Sequence, residues 1–571
     1  MARLLCGAGL AAGAILTILL IPEPRGHAHA AGVQRPNVVV IMTDDQTLES
    51  MKVMERTKSL LGDQGVTFDN SFVSFSLCCP SRSTFLTGQY AHNHGVLGNG
   101  PPDGGYYKLD STNTLAVWLQ RAGYATIHLG KYLNRYGTKD PREIPPGWTE
   151  FHATVDPSTY QYYDFTLNDN GELRHFCPVT DKPECYQTDL YAKMAQEIIR
   201  RRAAAPEPFF LWVAFIAPHA GGPRDPDDPD WPPTPSPAPR HRNYFAGTEL
   251  PYAPSFNEAD VSDKPPSIRS LPRFGPRTFR QLREEYQQEL ESLLAVDEAV
   301  QGIVDTLRDT GVLDKTLIVF TSDNGFFHGE HRVMTGKILP YEPSIRVPLI
   351  IRGPGIPPGV HRSQLVANID LAPTIVDATK AQPARTMDGH SLFPLMQDAG
   401  KELGRDIVIE NGPGPGHFSG LRTRNFLYVE YDDDGARELY DLRRDPDQLQ
   451  SLHADPAYAG LQAELARRLA LLRACKGARC TLLPVAAFTA RSPLGPGGCL
   501  RGPLALRVKG ARSVTAVAFT IGGHAVGTHS RAPFRVVVPR VRLPHGTIRL
   551  RARVSTGGDQ VVTLDRIATL C

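Results

Sequence analysis

The chain has 571 residues, 41% hydrophobic and 21% charged, enough apolar material for a large core and more than one domain. A net charge of +2 excludes a chain-wide polycation, so no nucleic-acid partner is expected. The 49 prolines and 51 glycines predict many turns and long loops.

The N-terminus reads as an export signal. Arg3 is its charged end, residues 4–21 form an apolar run, and "AHA" at 28–30 offers small residues around a cut after Ala30. An uncleaved anchor is the alternative, since the run is just long enough to span a bilayer. The AxA site favours cleavage of residues 1–30. No later stretch is long and apolar enough to span, so no stable membrane span is expected after cleavage. The expected location is secreted or cell-envelope, where disulfides persist. Cys6 leaves with the signal, and spacing suggests the pairs Cys177–Cys185, Cys475–Cys480 and Cys499–Cys571. Spacing alone does not fix connectivity. Cys78 and Cys79 are left over, and adjacent cysteines rarely bond each other because the ring is strained.

From about residue 37, buried-strand runs alternate with helical patterns. The strands are Val38–Met42, Ala125–Leu129, Phe209–Ile216, Leu317–Thr321 and Pro348–Arg352. The clearest helix runs from Phe279 to Leu307, with apolar residues spaced by three or four. This alternation predicts an α/β fold, a mostly parallel central sheet flanked by helices. Residues 221–266 break the pattern and read as a surface excursion near a site mouth. After about residue 405, short strands and a helix at Ala457–Leu472 suggest a smaller C-terminal α+β subdomain. A Pro/Gly-rich joint at 489–498 then leads to alternating strands with hairpin turns, a terminal β-sandwich-like domain. The expected divisions are 36–400, 401–482 and 489–571.

Several polar residues fall where strands end, and ligands of open α/β sheets bind beyond the C-terminal strand ends. "VVVIMTDDQ" ends in Asp44 and Asp45, and "LIVFTSDNG" ends in Asp323 and Asn324. These are oxygen donors suited to a hard divalent cation, Ca²⁺ or Mg²⁺. A solvated turn competes with that reading for either pair alone, and two such ends in one sheet favour the cation. Lys131 follows one strand and His219 another, while "TGKILPY" supplies Lys337. Together they suit an anionic, oxygen-rich substrate held by a metal and cations, with His219 as proton donor.

"CCPSRSTFLTGQY" resembles the sulfatase signature Cys-x-Pro-Ser-Arg followed by a Thr-Gly turn. The resemblance runs from about Asn37 to Leu442 through "TDDQ", "GKYLNRY", "PPGWTEF", "APHA", "SDNG", "GKILPYEPSIRVPLIIRGPG", "DGHSLFPL" and "ELYDLRRDP". With "CCPSR" and "GKYLN", it is most similar to N-acetylglucosamine-6-sulfatases and extracellular heparan sulfate endosulfatases. The resemblance implies that Cys78 is oxidised to formylglycine by a formylglycine-generating enzyme during maturation. It implies a Ca²⁺ held by Asp44, Asp45, Asp323, Asn324 and the residue made from Cys78. Arg82 would hold the aldehyde hydrate, Lys131 and Lys337 would bind sulfate oxygens, and His219 would assist the leaving group. The expected substrate is a sulfated saccharide. The two hydroxyls of a hydrate explain the choice: one attacks sulfur, and the other then loses its proton to expel sulfate. A helix starting near Ser81 would add backbone donors.

Departures are few. Leu133 stands where many sulfatases have histidine, which leaves Asn134 as a candidate substrate contact. His328 stands where relatives often have leucine, and the sequence assigns it no role. From Thr481 to Cys571, thirteen Lys or Arg face only Asp559 and Asp565, a surface for a sulfated polymer or simply a solvated face. A phosphodiester or phosphonate hydrolase of the same superfamily, and a non-catalytic glycan-binding relative, are the competing functions.

Overall fold

A computed structural model describes residues 35–176, 185–226, 228–401, 403–481, 487–493, 499–509, 514–556 and 561–571. The expected signal and Cys177 lie outside the described residues. No described helix is long and apolar enough to cross a membrane.

The runs of apolar residues form the centre of a ten-stranded sheet. Strand Asn37–Asp44 pairs in parallel with Phe209–Pro218 on one side and Thr316–Ser322 on the other. Ala125–Gly130 and Glu150–Thr154 extend the parallel block. Side chains alternate across a strand, so each face of a central strand needs its own apolar cover. Val38, Val40 and Met42 enter one core with Leu115–Leu119 and Leu371–Ile375. Val39 and Ile41 enter a second core with the helices Gln187–Ala203 and Pro276–Asp309. That two-sided burial is why these strands read as continuous hydrophobic runs.

The flanks differ from the expected parallel order. Leu349–Arg352 runs antiparallel to Thr316–Ser322, and Phe165–Asp169 and Glu172–Phe176 close the other edge as an antiparallel hairpin. Strand composition fixes burial but not direction. Direction depends on whether the connection crosses the sheet, and here the chain returns along the same edge.

The described residues of 221–265 form an irregular excursion that is tied down. Arg240 bridges Asp189 and Glu298, and the Asn243 and Phe245 amides donate to Glu291 on the long helix. Further along, a four-stranded antiparallel sheet between Ile407 and Asp441 packs with helix Ala459–Leu472. The C-terminal strands form a three-stranded and a four-stranded sheet around Leu504, Leu506, Val517, Phe519, Leu550 and Ala552. Two expected disulfides are present, Cys475–Cys480 and Cys499–Cys571. Cys185 is also disulfide-bonded, and Cys78 and Cys79 are free and buried.

One contact joins the large sheet's side of the chain to the C-terminal segment. His92 Nδ1 lies 2.8 Å from Glu410 Oε2 and its Nε2 lies 3.0 Å from the Cys475 carbonyl. Both ring nitrogens face acceptors, so the doubly protonated ring satisfies both. Burial opposes that charge, but Glu410 outweighs it and raises the pKa above 6.5. A raised histidine pKa contributes stability that is complete below the unfolded value and is lost as pH rises through the folded value. The loss of stability on His92→Gln is therefore expected to be larger at about pH 5 than at about pH 8. Urea unfolding of both proteins measures it, and an equal loss at both pH values would contradict the assignment.

Candidate active site

The parallel strands bring their C-terminal ends together, and with them the residues singled out in the sequence. Asp44 ends its strand fully buried. Asp45 follows at φ 68°, a left-handed turn that costs a non-glycine residue about 1 kcal/mol and turns its carboxylate back over the sheet edge. Asp323 and Asn324 follow the neighbouring strand, and the Asp323 amide donates to the Thr43 carbonyl at 3.1 Å.

Cys78 begins helix Cys78–Thr87, every residue of which is buried. The helix therefore starts earlier than the expected Ser81 and places Cys78 itself at the positive end of the helix dipole. Pro80 fits in the first turn, where no intrahelical N–H bond is needed. The Cys78 Sγ lies 3.5 Å from Asp44 Oδ1 and 3.3 Å from Lys337 Nζ. Burial, then the Asp44 charge, pushes its thiol up to about 12. A thiol so rarely ionised at neutral pH is a poor nucleophile.

Arg82 is fully buried and clamps both acidic strand ends. Its Nε donates to Asp323 Oδ2 at 2.7 Å, one terminal nitrogen to Asp44 Oδ2 at 3.1 Å, and the other to the Lys131 carbonyl at 2.7 Å. Lys131 Nζ pairs with Asp44, and Lys337 Nζ pairs with Asp45. Burial opposes ionisation of Asp44, but Lys131 and Arg82 outweigh it and hold the carboxyl well below its usual range. Burial and then the Asp44 charge push Asp323 the other way, above its usual range. His219 lies with Nε2 3.6 Å from Asp45 Oδ2, and its Nδ1 faces the Ala220 carbonyl at 2.7 Å. Burial lowers its pKa below 6.5 against the pull of Asp45 and Asp44.

Donor atoms of Asp44, Asp45, Cys78 and His219 lie within 4.8 Å of one another. Asp323 adjoins this set, its Oδ1 3.3 Å from the Asp45 amide. Asn324 Nδ2 donates to Asp45 Oδ1 at 2.6 Å, while its buried Oδ1 has no hydrogen-bond partner. Three buried carboxylates and an orphaned amide oxygen fit a hard divalent cation.

Sequence reasoning missed Tyr160. Its ring lies 4.6 Å from Lys131 Nζ and 4.6 Å from the His219 ring, and its hydroxyl accepts from Asn134 Nδ2 at 2.6 Å. It thus holds three of the expected site residues in place. "PSTYQYYD" carries no motif that marks it. Ser81 was also missed: its hydroxyl donates to the Asp323 carbonyl and accepts from Asn368 Nδ2 at 3.0 Å. A cleft of about 500 Å³ opens beside the site, lined by Phe326, His328, Arg346, Arg422 and Arg443 among others.

The family model for sulfatases matches residues 36–381. The chain belongs to the sulfatase family. This sulfatase is a sulfuric ester hydrolase. A second model, for the C-terminal region of N-sulphoglucosamine sulphohydrolase, matches residues 329–475. The chain is 33% identical over 506 residues to human N-acetylglucosamine-6-sulfatase, covering 79% of this chain and 87% of that one. Its fold is similar to a protein solved with its substrate D-glucosamine-2-N,6-O-disulfate, at TM-score 0.64 and 24% identity, over 76% of this sulfatase and 97% of that chain. It is also similar to the phosphonate monoester hydrolase of Agrobacterium radiobacter, at TM-score 0.58 and 23% identity, over 81% and 99% of the two chains. The fold by itself therefore does not separate sulfate from phosphonate esters.

Proposed function

We propose that this sulfatase hydrolyses sulfate monoesters on sulfated sugars outside the cytoplasm, using a formylglycine made from Cys78. The observation that carries the reading is the convergence on Cys78 of two acidic strand ends, Arg82, two lysines and a histidine. As a hydrate, the formylglycine supplies the nucleophilic oxygen that the buried thiol does not. Asp44, Asp45, Asp323 and Asn324 would hold a Ca²⁺, which when bound stabilises charge on the transferring group.

The remaining roles belong to the chain's own side chains. Lys131 and Lys337 are released from Asp44 and Asp45 to meet sulfate oxygens. Arg82 orients two carboxylates. His219, backed by Tyr160, delivers a proton to the leaving oxygen. Asn134, whose buried Oδ1 lacks a protein partner, meets the saccharide. Export and a modifying enzyme that acts on "CCPSR" complete the reading, with 36–400, 401–482 and 489–571 as its functional divisions. The separate apolar core around Leu550 supports the last division, whereas the core around Leu427 also takes in Phe72, Tyr90, Phe327 and Tyr341 from 36–400.

Mass spectrometry of the peptide containing Cys78, from protein made in its native host, is expected to show the aldehyde. An unmodified thiol there would favour a non-catalytic glycan-binding protein. Preference for phosphate diesters over sulfate monoesters would favour the phosphonate-type reading.

A further inference from the structure

His328, which the catalytic reading leaves without a task, sits at a second cluster. Helix Pro276–Asp309 carries Glu285 and Glu289, and their spacing puts both on one helix face. That face is turned inward: Glu285, Glu289 and His328 are each at most 3% exposed. The His328 Nε2 lies 2.7 Å from Glu289 Oε2 and 3.6 Å from Glu285 Oε2. Donor atoms of all three lie within 4.8 Å of one another.

The charges in this cluster do not balance. Among the described residues no lysine or arginine pairs with either glutamate. Glu330 adds a third carboxylate, accepting the His328 amide at 2.7 Å. Tyr286, whose ring lies 5.2 Å from that of His328, is committed to Glu49 and Lys52. Burial pushes both glutamates well above the carboxylate range; at Glu285 the charge of Glu289 and a hydrogen bond between the two side chains add to it, and the charge of Asp45 adds at both. Independently, Glu285 Oε2 is buried with no hydrogen-bond partner. A buried carboxylate oxygen aimed at a histidine nitrogen without reaching it leaves room for a cation between them. His328 also lines the cleft of about 500 Å³, which offers a route in.

We propose that Glu285, Glu289 and His328 bind a second divalent cation, distinct from the catalytic one, of the Zn²⁺ class. Two carboxylates and one imidazole are a three-ligand zinc set, and the nitrogen donor separates it from the all-oxygen Ca²⁺ preference. The cation would fasten the loop that carries Asp323 and Asn324 to the long helix, and so hold the catalytic donors in place.

The test needs no turnover, so it stands or falls separately from the sulfatase chemistry. Full-length Cys78→Ala protein, which lacks the thiol of the catalytic cluster, is stripped of metal, saturated with Ca²⁺ and titrated with Zn²⁺. Bound zinc is counted after dialysis, and Co²⁺ is used in parallel to read the ligand field from its visible spectrum. One zinc per chain is expected. His328→Leu and Glu289→Gln, each added to that protein, are expected to weaken binding by more than the ~10–100-fold cost of losing an outer-shell partner. The Co²⁺ spectrum should be lost with them. Failure of the Cys78→Ala protein to bind zinc, or unchanged binding in both variants, would overturn the assignment and leave a proton shared between the glutamates. Should Glu289→Gln not fold, His328→Leu decides alone, because leucine fills a similar volume.

Discussion

Replacing Cys78 by alanine is expected to lower kcat/KM toward a sulfate monoester by ~10⁴-fold or more, with the fold intact. The side chain is 1% exposed, so its loss leaves a cavity of about one sulfur atom and costs about 1 kcal/mol. No charge is stranded by the change. Asp44 keeps Arg82 and Lys131, and Lys337 keeps Asp45. The matched control is Cys79→Ala, one position along the same buried helix. Among the described residues its thiol makes no hydrogen bond to a carboxylate or a lysine, and the backbone amide of Cys79 donates to Asn99 Oδ1 at 2.9 Å. It should lose a similar amount of stability and keep most of the activity. Steady-state kinetics and thermal unfolding of the two variants separate chemistry from packing. Substantial turnover by Cys78→Ala would show that another group is the nucleophile.

The second large effect is on the cation. Removing divalent ions with a chelator is expected to reduce sulfate ester hydrolysis by ~10³-fold or more, with Ca²⁺ restoring it. Without a cation, Lys131 and Lys337 neutralise Asp44 and Asp45, so the groups proposed to meet the sulfate are tied up. Asp323 then remains buried beside Asp44, and among the described residues Arg82, which it shares with Asp44, is its one ion-pair partner. A cation relieves that crowding, so binding should also stabilise the fold, by about 2.7 kcal/mol at a Ca²⁺ concentration 100-fold above its Kd. Asp45→Asn should abolish both the activity and the Ca²⁺-dependent rise in Tm. A chelator-treated enzyme that keeps full activity would remove the cation from the account.

Much of the site was legible because it is built from strand ends. A buried strand announces itself by an apolar run, and the polar residues after the run must lie at the sheet edge. Asp44, Asp45, Lys131, His219, Asp323 and Asn324 were all found that way and all converge. Arg82 and Lys337 follow no strand; the signature singled out Arg82, and the stretch "TGKILPY" supplied Lys337. Tyr160 had neither signal. It reaches Lys131 and His219 because of where its loop is laid across the strand ends, not because of its neighbours in sequence.

The antiparallel course of Leu349–Arg352 has the same origin. Its residues fix that it is buried, and the return path of the chain fixes which way it runs. His328 shows the limit most clearly. In sequence it is one unexplained histidine after "SDNGFF", and Glu285 and Glu289 are two polar positions in an amphipathic helix. Periodicity even places Glu285 beside Tyr286 without saying that this turn of the helix is buried from all sides. The sequence by itself determined the alternation of elements, the residues at their ends and the sulfatase signature, since each depends on neighbours along the chain. Only the tertiary structure decided strand direction, the tyrosine behind His219, the clamp that Arg82 makes on two carboxylates, and the crowding of Glu285 and Glu289 against His328. Those arise between positions far apart in sequence, where contact is set by the path of the backbone and by what the rest of the core leaves room for.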